Sequence, residues 1–231
     1  MSVPLSSDWS RACVPFGPAT DNRWSPLGTG ILLVQRPVVW LVTLDALVPE
    51  GAALSAWVSP ENDGTLFDLG DLHRHTGLSW IRGGGYAAAL CPVKPEWKTK
   101  ALNAEQSVLD PRLAVPMTPT CTVQYHYTGQ GVFGGGPAAP HVISGVVTRN
   151  SVERLFCSLP LFARNAGAPV FAVVNSAQGG EPEVRLLGLA EQAAERAPLP
   201  LSSVLPIAAA FELLQSDEAQ AQVSRVVPSE V

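Results

Sequence analysis

With 231 residues, of which 46% are hydrophobic and only 15% charged, the chain carries enough apolar material for a sizeable core and is not a disordered segment. Its 15 basic side chains are outnumbered by 20 acidic ones, the formal net charge is −5, and no basic run occurs, which argues against a nucleic-acid partner. The most apolar window, 31–47, is broken by Gln35, Arg36 and Pro37, so it cannot span a bilayer and no membrane partner is expected.

In chain order, residues 1–17 are polar and proline-punctuated and read as an N-terminal arm. Met1–Asp8 lacks the basic start and apolar core of a targeting signal, so a cytoplasmic location is the default expectation. Cys13, Cys91, Cys121 and Cys157 then read as reduced thiols packed as small hydrophobes; a disulfide set is the alternative. Apolar segments follow at Ile31–Val34, Val38–Val42, Leu54–Val58, Ser79–Ile81 and Tyr86–Leu90, with a turn at Asn62-Asp63-Gly64. A spacing of about ten residues with turns between suits the strands of a sandwich or barrel. Lys94–Asp110, with Trp97 and few β-branched residues, reads as a connector. A second strand set is expected at Cys121–Tyr127, Val142–Thr148, Leu155–Ser158, Val170–Val174, Val184–Leu189 and Leu201–Leu205. Ala208, Ala209, Ala210, Glu212 and Leu213 are good helix formers and predict a short helix over Ile207–Leu214. Residues 216–231 are polar and read as a frayed tail. The 21 prolines and 20 glycines punctuate many short segments, as an all-β fold requires.

The stretch Arg164-Asn165-Ala166-Gly167-Ala168-Pro169-Val170-Phe171 resembles the nucleophile loop of trypsin-like serine peptidases, Gly-Asn/Asp-Ser-Gly-small-Pro-Val. Gly28-Thr29-Gly30-Ile31 followed by Trp40-Leu41-Val42-Thr43-Leu44-Asp45-Ala46-Leu47 resembles the family's Gly-x-Gly strand and its histidine motif. Tyr86-Ala87-Ala88-Ala89-Leu90 resembles the strand that carries the family's aspartate. His141–Val147, Leu186–Leu189 and Ser203–Ile207 resemble strands of the second half, and the motif order covers residues from about 18 to 215. The resemblance implies an all-β, double β-barrel fold with a short C-terminal helix. It implies an arm over 1–17, barrels over 18–105 and 106–206, and a helix and tail over 207–231.

In this register the nucleophilic serine falls on Ala166, the general base on Ala46 and the orienting carboxylate on Ala87. Acyl transfer by that route needs a hydroxyl, an imidazole and a carboxylate, and a methyl group replaces each. Arg164 stands where the family has the glycine that shapes the oxyanion hole, so the hole is expected to be blocked. Leu44 also departs from the histidine motif, and several scattered departures argue for natural loss of catalysis rather than one engineered change. The old cleft is expected along Arg164, Asn165, Ala166, Gly167, Leu187 and Gly188.

Other patterns in the chain have plainer readings. Gly129-Gln130-Gly131-Val132-Phe133-Gly134 fits a dinucleotide fingerprint, but Gly135-Gly136-Pro137 cannot start the helix that such a site needs; a rim loop is the plainer reading. Asp71, His73 and His75 could ligate zinc if they shared a strand face; a polar surface loop is the plainer reading. His126 reads as a structural histidine, and the six tryptophans as packing. No metal or cofactor is assigned. The expected function is non-catalytic binding of a protein or peptide, as a subunit or regulator. The alternatives are a hydrolase with a displaced constellation at His126 or Asp71–His73–His75, and a structural subunit of a larger complex.

Overall fold

The computed structural model describes residues 7–20, 23–58, 65–91, 101–103, 109–125, 140–151, 153–161, 164–174, 182–191 and 201–227. Among them the first half of the chain builds a helix α1 (Ser7–Ala12) and strands β1 (Cys13–Gly17), β2 (Ala19–Thr20), β3 (Arg23–Trp24), β4 (Gly28–Gln35), β5 (Val38–Leu44), β6 (Ser55–Val58) and β7 (Thr65–Asp68). Helix α2 (Leu69–Thr76) and strands β8 (Ile81–Gly83), β9 (Tyr86–Cys91) and β10 (Leu102–Asn103) complete it. One sheet runs β7-β6-β1-β4-β5-β9-β8, with β10 added parallel to β4. Its central strands do not alternate apolar with polar, because both faces are covered. Val39 and Leu41 of β5 point to a core with Phe16, Leu32, Leu54 and Ala87, inside the half-barrel. Trp40, Val42 and Leu44 point the other way, to a core shared with the second half.

The second half is a closed barrel, β11 (Pro119–Gln124), β12 (His141–Asn150), β13 (Leu155–Cys157), β16 (Ser202–Pro206), β15 (Glu183–Ala190) and β14 (Pro169–Val174), in that spatial order. Val147, Cys157, Val170, Leu187 and Val204 fill it. Two helices end the described chain, α3 (Ala208–Leu214) and α4 (Asp217–Val226). The fold is therefore the expected all-β pair of barrel-like halves. Cys121, Tyr125, Phe171, Leu186 and Leu189 from the second half meet Ile31, Trp40 and Tyr86 from the first in one continuous core.

Two tyrosine hydroxyls that cross this core are aimed at main chain. The Tyr125 hydroxyl donates to Cys13 O at 2.6 Å, and the Tyr86 hydroxyl to Leu205 O at 2.5 Å. Trp9 of α1 meets Phe171 edge to face, with ring centres 4.8 Å apart.

Three expectations are corrected. Within 1–17, expected as an irregular arm, residues 7–17 form α1 and β1, because Cys13–Phe16 pair with Gly28–Ile31 and supply Val14 and Phe16 to the core. Asp68–His75, expected as a loop, is the start of α2: the Asp68 carboxylate caps it by accepting from Asp71 N at 2.9 Å. The polar stretch expected to fray contains α4, capped by Ser216 Oγ and held to the first half where Gln222 Nε2 donates to Ser79 Oγ at 3.2 Å. Asn62–Gly64, Trp97, His126 and 129–134 lie outside the described residues.

Tyr125→Phe keeps the ring but leaves the Cys13 carbonyl unpaired in a dry interface. It is expected to lower unfolding stability by about 1–3 kcal/mol, read by urea denaturation.

Candidate functional site

The loop 164–168 is fixed from its buried side. Asn165 is fully buried; its Oδ1 accepts from Tyr125 N at 2.7 Å and its Nδ2 donates to Tyr125 O at 2.8 Å. This two-point clamp ties the loop to the end of β11. Gly167 N donates to Ala190 O at 2.7 Å, which ties it to β15. Thr29 N donates to Ala166 O at 2.9 Å, which ties it across to the first half.

Gly167 has φ +83°, and a Cβ built there would lie 2.1 Å from Thr29 O. No side chain fits. Arg164 has φ +66°, so an arginine occupies the left-handed region where glycine was expected to be required. The loop makes its turn despite the substitution.

Opposite this loop, β5 runs into a single helical turn over Asp45–Leu47. Arg82 straps the turn: its guanidinium bonds the Asp45 carboxylate, and its Nη2 donates to Val48 O at 2.7 Å. Asp45 N donates to Gly85 O at 2.9 Å. The Leu47 side chain lies over both Gly28 and Gly167: its Cδ1 is 2.7 Å and 3.1 Å from where their Cβ atoms would be. The turn carrying exposed Ala46 and the loop carrying half-buried Ala166 are thereby brought together through Leu47.

The third expected position does not join them. Ala87 pairs with Thr43 and Arg82 and points into the half-barrel core beside Leu41 and Phe16. Its neighbour Tyr86 points to the core between the halves. Burial pushes the Tyr86 hydroxyl's pKa well up; a hydrogen bond from the Leu189 backbone acts against this, and the nearby Glu191 carboxylate adds to it. A one-residue change in register reverses the face of a strand residue, which is why the alanine run misled.

The expected cleft is corrected as well. Asn165 is turned inward. Leu187 fills the second barrel, and Gly188 is packed so that a Cβ would lie 2.0 Å from Leu205 O. Arg164 is exposed and Ala166 half-buried; they are the members with atoms to offer a ligand. Sequence reasoning missed Glu191, whose carboxylate accepts from Ser203 Oγ at 2.7 Å and pairs with Arg154 at 3.3 Å. It sits just beyond β15 at the end of the run Leu186–Ala190, but a lone glutamate gives no signal in sequence.

Nor do the other candidates assemble. On a helix, two residues apart is about 200° of rotation, so His73 and His75 face different ways. His75 Nδ1 lies 2.9 Å from Asp71 O, and Arg74 Nη2 lies 3.2 Å from Asp71 Oδ1. His73 turns inward against Trp80. Among the described residues no group of three His, Cys, Asp or Glu side chains is placed to hold a metal. Burial pushes the Cys91 thiol up to about 12 and the Cys121 and Cys157 thiols up to about 11, so none is a ready thiolate at neutral pH.

No family model and no curated protein sequence matches this chain. Solved structures do. The MamO protease domain from Magnetospirillum magneticum superposes with a TM-score of 0.61 at 16% identity, over 92% of this chain and 100% of that one. A serine endoprotease from Yersinia pestis gives 0.55 at 11% identity, over 95% and 68%. The fold is that of a trypsin-like serine protease domain. In this trypsin-like frame the 164–168 loop and the 45–47 turn face each other across the junction of the two halves.

Gly167→Ala is expected to cost at least about 2 kcal/mol, since it adds both a positive-φ penalty and a main-chain clash. Arg164→Gly is expected to gain about 1 kcal/mol by relieving a left-handed arginine. Thermal and urea unfolding of the two variants check the contrast.

The His73 pKa is lowered by desolvation, with Asp68 acting against it. The unfolded chain holds an ordinary histidine near about 6.5 and so binds more protons below that pH. Stability is therefore full above about pH 7 and falls as pH drops through about 6.5 towards the lower folded value. His73→Gln is expected to flatten that part of the stability–pH curve.

Proposed function

We propose that this chain is a non-catalytic trypsin-like protein that binds a protein or peptide partner. The observation that carries the reading is the meeting of Ala46 and Ala166. The turn and loop approach one another through Leu47 as base and nucleophile must, and each bears a methyl group. We assign the orienting position to Tyr86 rather than Ala87. Its hydroxyl is spent on Leu205 O, and a phenol held there with its pKa raised cannot fix an imidazole tautomer as a carboxylate does. The raised thiol pKa values of Cys91, Cys121 and Cys157 speak against a displaced cysteine nucleophile.

The surface has an apolar floor at Ala46, Leu47 and Ala166, with the exposed residue Arg164 two positions before Ala166 in the loop. That pairing suits an extended chain bearing a carboxylate, which a guanidinium can hold with two parallel bonds.

Two measurements test the reading. A serine-directed fluorophosphonate and a broad peptide library should give neither labelling nor turnover with homogeneous protein; either would overturn it. Acidic peptides from the same library should bind, and Arg164→Glu should weaken them at least about tenfold, the loss of a charge-assisted pair. Equal binding by the folded variant would remove Arg164 from the site. Ala46→His/Tyr86→Asp/Ala166→Ser should unfold at lower denaturant than the parent, because an aspartate leaves a void and a buried charge where the tyrosine packed.

A further inference from the structure

A cleft of about 460 Å3 lies next to the turn that carries Ala46, between Pro49–Ala53, one face of α2 and residues 78–82. This volume is in the range of small-ligand sites. Pro49, Ala52, Leu78 and the Trp80 indole give it apolar walls. Its two arginines are already neutralised, Arg74 by Asp71 and Arg82 by Asp45, and Glu50 adds a negative charge at the exposed rim. An anion is therefore not what the cleft selects.

Two groups remain unused. Trp80 Nε1 and His73 Nε2 are buried and have no hydrogen-bond partner among the described residues. Their rings meet edge to face with centres 6.3 Å apart. Burial holds His73 below the usual histidine range, so it is the neutral imidazole at pH 7 and Nε2 can accept a proton. The indole N–H only donates. Leaving both unpaired costs about 1–3 kcal/mol each, and native interiors rarely tolerate that without a water or a ligand. One atom type answers both needs. A hydroxyl oxygen accepts from the indole and donates to the imidazole, and its carrier must be apolar and flat enough to lie along Pro49 and Trp80.

We propose that this cleft is a binding site for a tyrosine side chain of the partner polypeptide, its phenolic hydroxyl bridging Trp80 Nε1 and His73 Nε2. The proposal rests on the partner-binding reading above. It adds to it a second, neutral anchor, lined in part by the Arg82 that straps the Asp45–Leu47 turn.

The test uses the full chain, labelled with 15N. The Trp80 indole resonance is identified as the one lost in Trp80→Phe. N-acetyl-L-tyrosinamide should shift it saturably, and N-acetyl-L-phenylalaninamide should bind at least about tenfold more weakly, because a site built for a hydroxyl rejects the analogue lacking it. His73→Gln, read at the same resonance, should shrink that preference. Absence of a shift at millimolar ligand, or equal affinity for the two amides, overturns the proposal and leaves water as the filler. If acidic peptides bind through Arg164 while neither amide moves Trp80, this inference fails and the partner reading stands. If the tyrosine amide binds but the protein turns over peptides, the partner reading fails instead.

Discussion

Burial of β4, β5 and β9 on both faces is the constraint from which the rest of the molecule follows. One face of these strands closes the half-barrel around Phe16, Leu32 and Leu41; the other meets the second barrel at Phe171, Leu186 and Leu189. Neither half can bury its apolar surface without its neighbour. The junction is accordingly apolar, and three polar groups that cross it are matched to backbone, Tyr125 to Cys13, Tyr86 to Leu205 and the Thr29 amide to Ala166, while the Trp40 indole N–H in the same core has no partner among the described residues. The 164–168 loop lies where these ties converge, so its geometry is set by the junction.

The same ties hold the loop in its trypsin-like shape. Asn165 satisfies the Tyr125 peptide, Gly167 yields space to Thr29 O, and Arg164 is driven into a left-handed conformation that its side chain disfavours. Each holds for reasons of packing or hydrogen bonding alone. A carboxylate at position 86 would need several donors in a dry interface. Tyr86 fills the space, needs few partners and links the halves through Leu205 O.

Much of this was legible from the residues. The Gly28-Thr29-Gly30 strand, the Asn165–Phe171 loop and the order of apolar segments gave the fold, because close backbone approaches leave few residue choices. What was not legible has particular causes. Tyr86–Leu90 is three alanines between two large residues and carries no alternation from which to read a face. Helix α2 begins Leu69-Gly70-Asp71, which has the composition of a loop, and its cap bond is visible only in three dimensions. Helix α4 buries just Ala219 and Gln222, too little to leave an apolar stripe. Arg164 ran against the preference of its own backbone, which local rules predict wrongly by construction.

The last two helices belong in space to the first half. Leu213 packs near Gly83, Ala209 near Gly84, and Arg225 donates to Gly77 O at 2.9 Å. Ala210, Leu213 and Leu214 lie in the same core as Ile81 and Tyr86. The outer face of the half-barrel is therefore covered only once the helices at 208–226 have been made, after the whole of the second barrel. Domains that mature one after another during synthesis are the common pattern; here the first half stays a client of helices that are made after the second.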